Sequence, residues 1–493
     1  MEGEQQLHNR AYTIKLGADI VSEHYGKHFK RCIGTERVAT ALRADYMDNL
    51  RIVQNEIGFD YIRGHGLFHD ELGVYRERIR MDAKQTRTLK EPLYNWIFVK
   101  KCIDHYRSVG IKPFFELGFM PEQMASGGDS VFWWKGNVSS PDDYAKWGRL
   151  VGAFARFLIE HYGEEAVSWP FEVWNEPNSA FWAPADGALE SGYYRLYETA
   201  ARALKEVDER LHVGGPATNP GGLDWIPRFI DFCVSARVPL DFVSHHVYSG
   251  HNKQYSGEFI HMEIMDPVKA LNQFKRAAEQ VKASPLPELP VHITEWNTSY
   301  SCIDPVHDTA MNAAYIAWLL VHADETVDSY AYWVFSDVFE EADIPRALFH
   351  GGFGLLTHNG LRKPVFHAFR FANALYETLL YRDDHVCVTR NEADGSLAVL
   401  LYTPDVHMTS EEPTKLSLEL PFAAGMAVME VQTVDSQAGN AYEAWKMQTI
   451  AAEVDGNLRL QFMLAPNSIK LARIDAVNDY SGGYEGLREK EVL

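Results

Sequence analysis

Eight short apolar or β-branched runs recur along the first three quarters of the chain, each ending in polar side chains. They fall at 31–34, 59–64, 111–118, 171–175, 212–216, 241–246, 291–295 and 329–335. Between them apolar residues return every three or four positions, as in YAKWGRLVGAFARFLIEHY at 144–162. The segments 193–207, 267–283, 309–323 and 364–379 share that spacing, which predicts helices with one buried face. Compact strands alternating with helices eight times predict an α/β fold, a (β/α)8 TIM barrel over residues 16–380.

Beyond residue 380 the period falls to two. HVCVTRNE, GSLAVLLYT, TKLSLELPF, MAVMEVQTV, NLRLQFML and SIKLARIDA alternate apolar and polar positions between Gly, Asp, Asn and Pro. That pattern predicts a C-terminal antiparallel β-sandwich over 381–477, which a strand from 1–15 can join. The tail 478–493, NDYSGGYEGLREKEVL, is Gly-rich and charged. It is expected to fray in an isolated monomer, with a subunit-contacting arm in a homo-oligomer as the alternative.

Composition narrows the function. The 493 residues carry a formal charge of −21, so phosphate backbones and anionic lipid are repelled and neither nucleic acid nor a membrane is an expected partner. An acidic surface also disfavours a polyanionic substrate. The 12 Trp and 24 Tyr mostly fill the core, but flat rings also pack against the C–H face of a pyranose. The cysteines, Cys32, Cys102, Cys233, Cys302 and Cys387, are scattered and odd in number, suggesting neither a zinc site nor a disulfide framework. The polar opening MEGEQQLHNRAY has no apolar core of a signal peptide. A soluble, unexported and therefore cytoplasmic protein is the expectation.

Reactive groups of a (β/α)8 barrel sit at the C-terminal ends of its strands. Two predicted strands end in glutamate. WPFEVWNEPN closes strand four at Asn175 and Glu176, and VHITEWN closes strand seven at Glu295. Strands four and seven face each other across the mouth, so the two carboxyls can converge. Carboxyls about 5–5.5 Å apart across a glycosidic bond support double displacement. A lone glutamate at a strand end is usually solvated; the string Trp-Asn-Glu-Pro is more specific, because Asn175 can hydrogen-bond a sugar 2-hydroxyl. Glu172, four residues earlier, lies deeper in the strand and reads as structural.

The strings PFEVWNEPN, HITEWNTSYS, DPVHDT and YWVFSDVFEE, with YIRGHGLFHD, FFELGFMP and FHGGFGLL, resemble glycoside hydrolase family 39, and within it the bacterial β-xylosidases. The likeness runs from about Gly34 to Arg390. It implies a retaining exo-β-xylosidase of small xylo-oligosaccharides that needs no metal or organic cofactor, with Glu176 as acid/base and Glu295 as nucleophile. Carried over residue by residue, it also implies that Asn175 binds the 2-hydroxyl and that Tyr248 donates to Glu295. His246 contacts the sugar, Trp333 forms an aromatic floor, and His65 and Glu340 bind hydroxyls of a terminal xylose. Glu341 in the place of Glu340, or an arginine-paired structural role for Glu340, is the alternative. Trp333, Phe119 and Glu340 are expected to crowd the region where glucose carries a hydroxymethyl group. His245, alternating away from His246, reads as packing. Trp296 and His245 stand where the family's β-xylosidases usually carry Tyr and Arg. Two other functions stay open: an α-L-iduronidase-like glycosidase, which needs a cation for a uronate, and a non-catalytic carbohydrate-binding protein.

Overall fold

The structure, a computed structural model, describes residues 11–17, 20–81, 84, 88–410, 412–439 and 446–477. The expectation for the tail 478–493 lies outside the described residues.

Eight strands form one closed parallel barrel: Cys32–Arg37, Tyr61–His65, Lys112–Leu117, Pro170–Val173, His212–Thr218, Phe242–Tyr248, Val291–Asn297 and Ser329–Tyr332. They are called strands one to eight below. Each pairs with its successor, and strand eight closes on strand one through Tyr332 and Ile33. The predicted α/β barrel is thus the observed one, since strands buried on both faces read as continuous apolar runs.

The outer helices follow from capping and periodicity. In Tyr144–Tyr162 the Asp143 side chain accepts a bond from Ala145 N–H, and Gly163 ends the helix. Its buried stripe includes Trp147, Leu150, Val151, Phe154 and Leu158, at helical spacing. Ala310–His322 differs in burying every residue from Met311 to Val321. It is covered on both sides, because strands Leu397–Tyr402 and Ile469–Val477 pack over it.

Those two strands belong to a seven-stranded sheet that also contains Thr378–Arg382, Val386–Arg390 and Gly425–Val434. A three-stranded sheet faces it, with Ala11–Lys15 lying parallel to Thr414–Pro421 and Asn457–Leu464 antiparallel on the other side. Leu416, Leu418 and Leu420 alternate into a core shared with Val388, Val399 and Leu401 of the larger sheet. This is the predicted antiparallel sandwich. Its larger sheet also touches the barrel core through Leu400, Tyr402 and Leu471, clamping the last two helices.

Candidate active site

Strand four ends at Val173, so Asn175 and Glu176 stand just past it rather than in it. Trp174 and Glu176 both have left-handed backbone, with φ of 73° and 43°. Side chains seldom tolerate this conformation, and here it is held by Glu176 N–H donating to Ala217 O at 2.9 Å. Strand seven continues to Asn297, two residues past Glu295. Its register against strand six slips between His245 and His246, so that His246 stands opposite Glu295. The bulge re-aims both side chains at the barrel axis.

The carboxyls of Glu176 and Glu295 and the ring of His246 bring one oxygen or nitrogen each within 4.8 Å of one another. Their surroundings differ. Glu295 Oε1 accepts from Arg63 at 2.5 Å and its Oε2 accepts from the Tyr248 hydroxyl at 2.8 Å. Glu176 Oε1 meets His246 Nδ1 at 2.9 Å. Burial and, after it, the charge of Glu295 hold the Glu176 carboxyl well above the ordinary glutamate range. Burial and then Arg63 push His246 well below its usual value, so the imidazole is neutral. Burial and then Glu295 raise the Tyr248 phenol, which keeps its proton. One carboxyl is thus kept protonated beside another that is ion-paired. The three groups have the chemistry of cation ligands, but Glu295 already accepts from Arg63 and Tyr248, and Glu176 is already paired with His246.

Arg63 organises the layer beneath. It is fully buried on strand two and reaches Glu295, Glu172 at 2.7 Å, Glu116 at 3.0 Å and Asn175 Oδ1 at 2.8 Å. Burial works against its charge, yet Glu172, Glu116 and Glu295 outweigh it and hold the guanidinium above its ordinary value. Glu172 also accepts from the Thr294 hydroxyl at 2.7 Å, which accounts for its structural role. His245 Nδ1 meets the Thr218 hydroxyl at 2.9 Å, and burial lowers it to about 4.

Above these groups opens a cavity of about 470 Å³. Its walls include His65, Asn175, Glu176, Tyr248, Glu295 and Trp333 from the sequence expectation, joined by Phe132, Phe181, Asn219, Tyr300, Glu341 and Phe353. His65 Nδ1 is held by Glu116 at 2.6 Å, leaving Nε2 at 3.5 Å from Glu341 Oε1 and 3.7 Å from Glu295 Oε1. His65 lies with its ring centroid 4.6 Å from Trp333 and stacked at 5.5 Å on Phe132.

Three expected residues sit elsewhere. Glu340 turns away from the cavity, bonded to Arg37 at 2.8 Å and to Arg43; its neighbour Glu341 lines the wall instead. Burial and then Glu295 raise the Glu341 carboxyl well above its ordinary range, and its Oε1 has no hydrogen-bond partner. Phe119 is fully buried and packs behind His65, Phe132 and Trp174, so it supports the wall without lining it. His246 is fully buried against Glu176 and is not among the cavity walls. Arg63 and Glu116 escaped the sequence reading, although both are charges inside predicted buried strands. Such groups need partners, and that need was the available signal.

The described residues hold no helix long and apolar enough to cross a membrane. The family model for glycosyl hydrolases family 39 matches residues 12–450. A β-xylosidase of Geobacillus stearothermophilus is 43% identical over 498 aligned positions, covering 95% of this chain and 97% of its own. Among solved structures, a monomeric β-xylosidase from Caulobacter crescentus CB15 superposes with a TM-score of 0.85 at 31% identity. That match covers 95% of this chain and 100% of its own. The family 39 enzyme of Xanthomonas axonopodis pv. citri gives the same TM-score at 29% identity, over 97% of this chain and 100% of its own. With the carboxyl pair at the barrel mouth and this match along most of its length, the chain belongs to glycosyl hydrolases family 39 and is a glycosidase.

Proposed function

We propose that this chain is a retaining exo-β-1,4-xylosidase that releases D-xylose from the non-reducing ends of short xylo-oligosaccharides. The observation that carries the reading is the paired environment of Glu176 and Glu295: one carboxyl held protonated, the other bound by Arg63 and Tyr248. In the first step a Glu295 oxygen attacks the anomeric carbon, the glycosidic C–O bond breaks, and the leaving oxygen takes the Glu176 proton. In the second, Glu176 removes a proton from water, which attacks the same carbon and expels Glu295. Two inversions give net retention. One oxygen of Glu176 and one of Glu295 lie within 4.8 Å of each other, which fits the close pair of a retaining enzyme better than the roughly 6.5–9.5 Å of an inverting one.

Sugar recognition divides by chemistry. Asn175, with Oδ1 occupied by Arg63, keeps its amide N–H groups for the 2-hydroxyl. Trp333 gives a flat apolar face, and His65 Nε2 with Glu341 Oε1 supplies the polar edge. Phe132 and Phe353 add bulk that disfavours a hydroxymethyl substituent at C5. No Lys or Arg occurs among the described residues lining the cavity, while Glu176, Glu295 and Glu341 do. That is a poor setting for a substrate carboxylate and favours the xyloside over the iduronide. The β-xylosidase relatives at 43% and 31% identity support the same choice.

The test compares kcat/KM for nitrophenyl β-D-xyloside, β-D-glucoside, α-L-arabinoside and an α-L-iduronide. The xyloside is expected to lead the glucoside by roughly tenfold to several hundredfold, the span a steric pocket gives. A leading glucoside or iduronide overturns the substrate while leaving the two-glutamate chemistry standing.

A further inference from the structure

After strand eight the chain makes a long irregular excursion from Asp337 before re-entering a helix, Pro364–Ala374, whose preceding residue is Lys363. The excursion carries Glu341 and Phe353, both on the cavity wall, and Glu340, which does not face it. Its backbone is pinned at Glu341, whose carbonyl accepts from Trp133 N–H, and again after Phe353, where Leu355 and Leu356 N–H donate to Val334 and Phe335 O; neither set of bonds involves Phe353.

At its base lies a buried ionic clasp. Lys363 is fully buried, and its ammonium donates to Gly352 O at 2.6 Å and to Asp337 Oδ2 at 3.2 Å. Asp308 Oδ1 lies 2.6 Å from the same nitrogen as an ion pair without hydrogen-bond geometry. The two aspartates use their other oxygens on the loop backbone: Asp337 Oδ1 accepts from Gly354 N–H at 2.6 Å, and Asp308 Oδ2 from Gly351 N–H at 2.8 Å. The glycines allow this approach. A Cβ on Gly352 would lie 2.3 Å from Asp337 Oδ1, and one on Gly354 2.4 Å from Asp337 N. Phe353, between two glycines tied to the clasp, leans edge-on against Phe339 at 5.3 Å, and Phe339 likewise against Trp333 at 6.3 Å. Burial opposes the Lys363 charge, but Asp337 and Asp308 outweigh it. The ammonium therefore persists and keeps all three donors.

We infer that Lys363 is a positioning residue for sugar selectivity: by tying Asp337, Asp308 and Gly352 into one knot it fixes Phe353 at the cavity wall. It touches neither reacting carboxyl. Loosening the knot should let the wall recede, weakening the hold on a pentose and admitting a larger ring, while the Glu176–Glu295 pair on strands four and seven stays in place. The inference rests on the xylosidase reading for which sugar is preferred, but not for the clasp itself.

The test compares Lys363→Met and Asp337→Asn with the unmodified protein on β-D-xyloside and β-D-glucoside. Lys363→Met should raise KM for the xyloside about tenfold with kcat within about twofold, and cut the xyloside-to-glucoside ratio of kcat/KM about tenfold. Asp337→Asn, which keeps an acceptor for Gly354 N–H, should shift both in the same direction by less, and it carries the test should Lys363→Met fail to fold. Leu400→Ala in the sandwich sheet is the control for instability alone, lowering Tm with the ratio unchanged. Clasp variants that behave like that control, losing Tm but keeping both KM and the ratio, overturn the inference. If the unmodified protein prefers another glycoside, the xylosidase reading fails. The same variants are then scored on that sugar against its hydroxymethyl-bearing or hydroxymethyl-lacking counterpart, so the clasp is judged separately.

Discussion

Arg63→Met would remove the guanidinium that, among the described residues, bridges Glu116, Glu172 and Glu295 in a buried site. Methionine replaces the length of the side chain but none of its five donors. Among the three acids, burial already raises Glu172 with Arg63 in place, so Glu172 takes a proton first once the guanidinium is gone. Neutralising a carboxyl at pH 7 from the ordinary glutamate value near 4.3 costs about 3.7 kcal/mol, at about 1.36 kcal/mol per pH unit. This falls within the range of roughly 3–5 kcal/mol for breaking a buried ion pair. At about 2 °C per kcal/mol, the low end for large domains, Tm should fall by about 7 °C at pH 7. The sign with pH follows. The variant's folded state binds one more proton than its unfolded state, so the deficit is greatest at high pH and fades as pH falls toward 4.3. At pH 5 the same arithmetic leaves about 1 kcal/mol, or about 2 °C. Calorimetry at both pH values, with kcat on nitrophenyl xyloside, reads the effect. kcat should fall about a hundredfold or more, because Glu295 and Asn175 both lose the donor that orients them. Arg63→Lys should recover much of Tm but little of kcat, since a point charge cannot fork to four acceptors. A deficit that does not change with pH, or a variant with unaltered kcat, would refute the reasoning.

Glu295→Ala should abolish turnover, with azide restoring it to give an inverted product; a rescued product of retained configuration would remove Glu295 from the nucleophile's role. Glu176→Ala should spare the first step for a good leaving group and cripple xylobiose, and equal losses on both would move the acid elsewhere. Because burial and Glu295 raise Glu176, kcat/KM should fall on the alkaline side as that proton is lost, not near the ordinary glutamate value. Glu295→Gln removes the second cause, so the Glu176 titration followed by carboxyl-carbon NMR should move down; an unmoved titration would leave burial as the sole cause. Glu341→Gln should raise KM for the xyloside about tenfold, the worth of one buried hydrogen bond of about 1.4 kcal/mol, whereas Glu340→Gln should lower Tm and leave KM unchanged. The reverse outcome would return Glu340 to the sugar.

Legibility in the sequence followed burial. All eight barrel strands stood out because both their faces are covered, and the alternating strands of the sandwich because one face is. The hairpins Tyr75–Met81 with Thr88–Tyr94 and Gly250–Ser256 with Phe259–Ile264 were not read, although in the last strand buried Ile260, Met262 and Ile264 alternate with exposed residues. In YRERIRM and GHNKQYS nearly every residue is exposed or half-exposed, so no period marks them. The predicted helix over 364–379 stops at Ala374, since the β-branched and aromatic TLLYR pairs with Val386–Arg390 instead. In the site, Glu176 and Glu295 were legible because the barrel fixes where strand ends point. Glu340 and Glu341 were not separable, because neighbours in an irregular loop have no periodic direction; arginines folded from strand one and its following turn decide between them.

The charges below the mouth were the least visible part of the sequence, and they tune the part that was most visible. Three carboxyls share one guanidinium there. The effect of the layer on Glu176 divides by sign: Glu295 and Glu116 push its proton affinity up, and Arg63 pulls it down. A second buried cation would fix the nucleophile more firmly but would also release the proton that the leaving oxygen must receive. With none, Glu295 would have no fixed partner but the Tyr248 hydroxyl. A single arginine shared among three acids satisfies both demands, since it orients Glu295 without cancelling the field that keeps Glu176 protonated. Glu116, although not among the residues lining the cavity, is therefore part of how the acid is set.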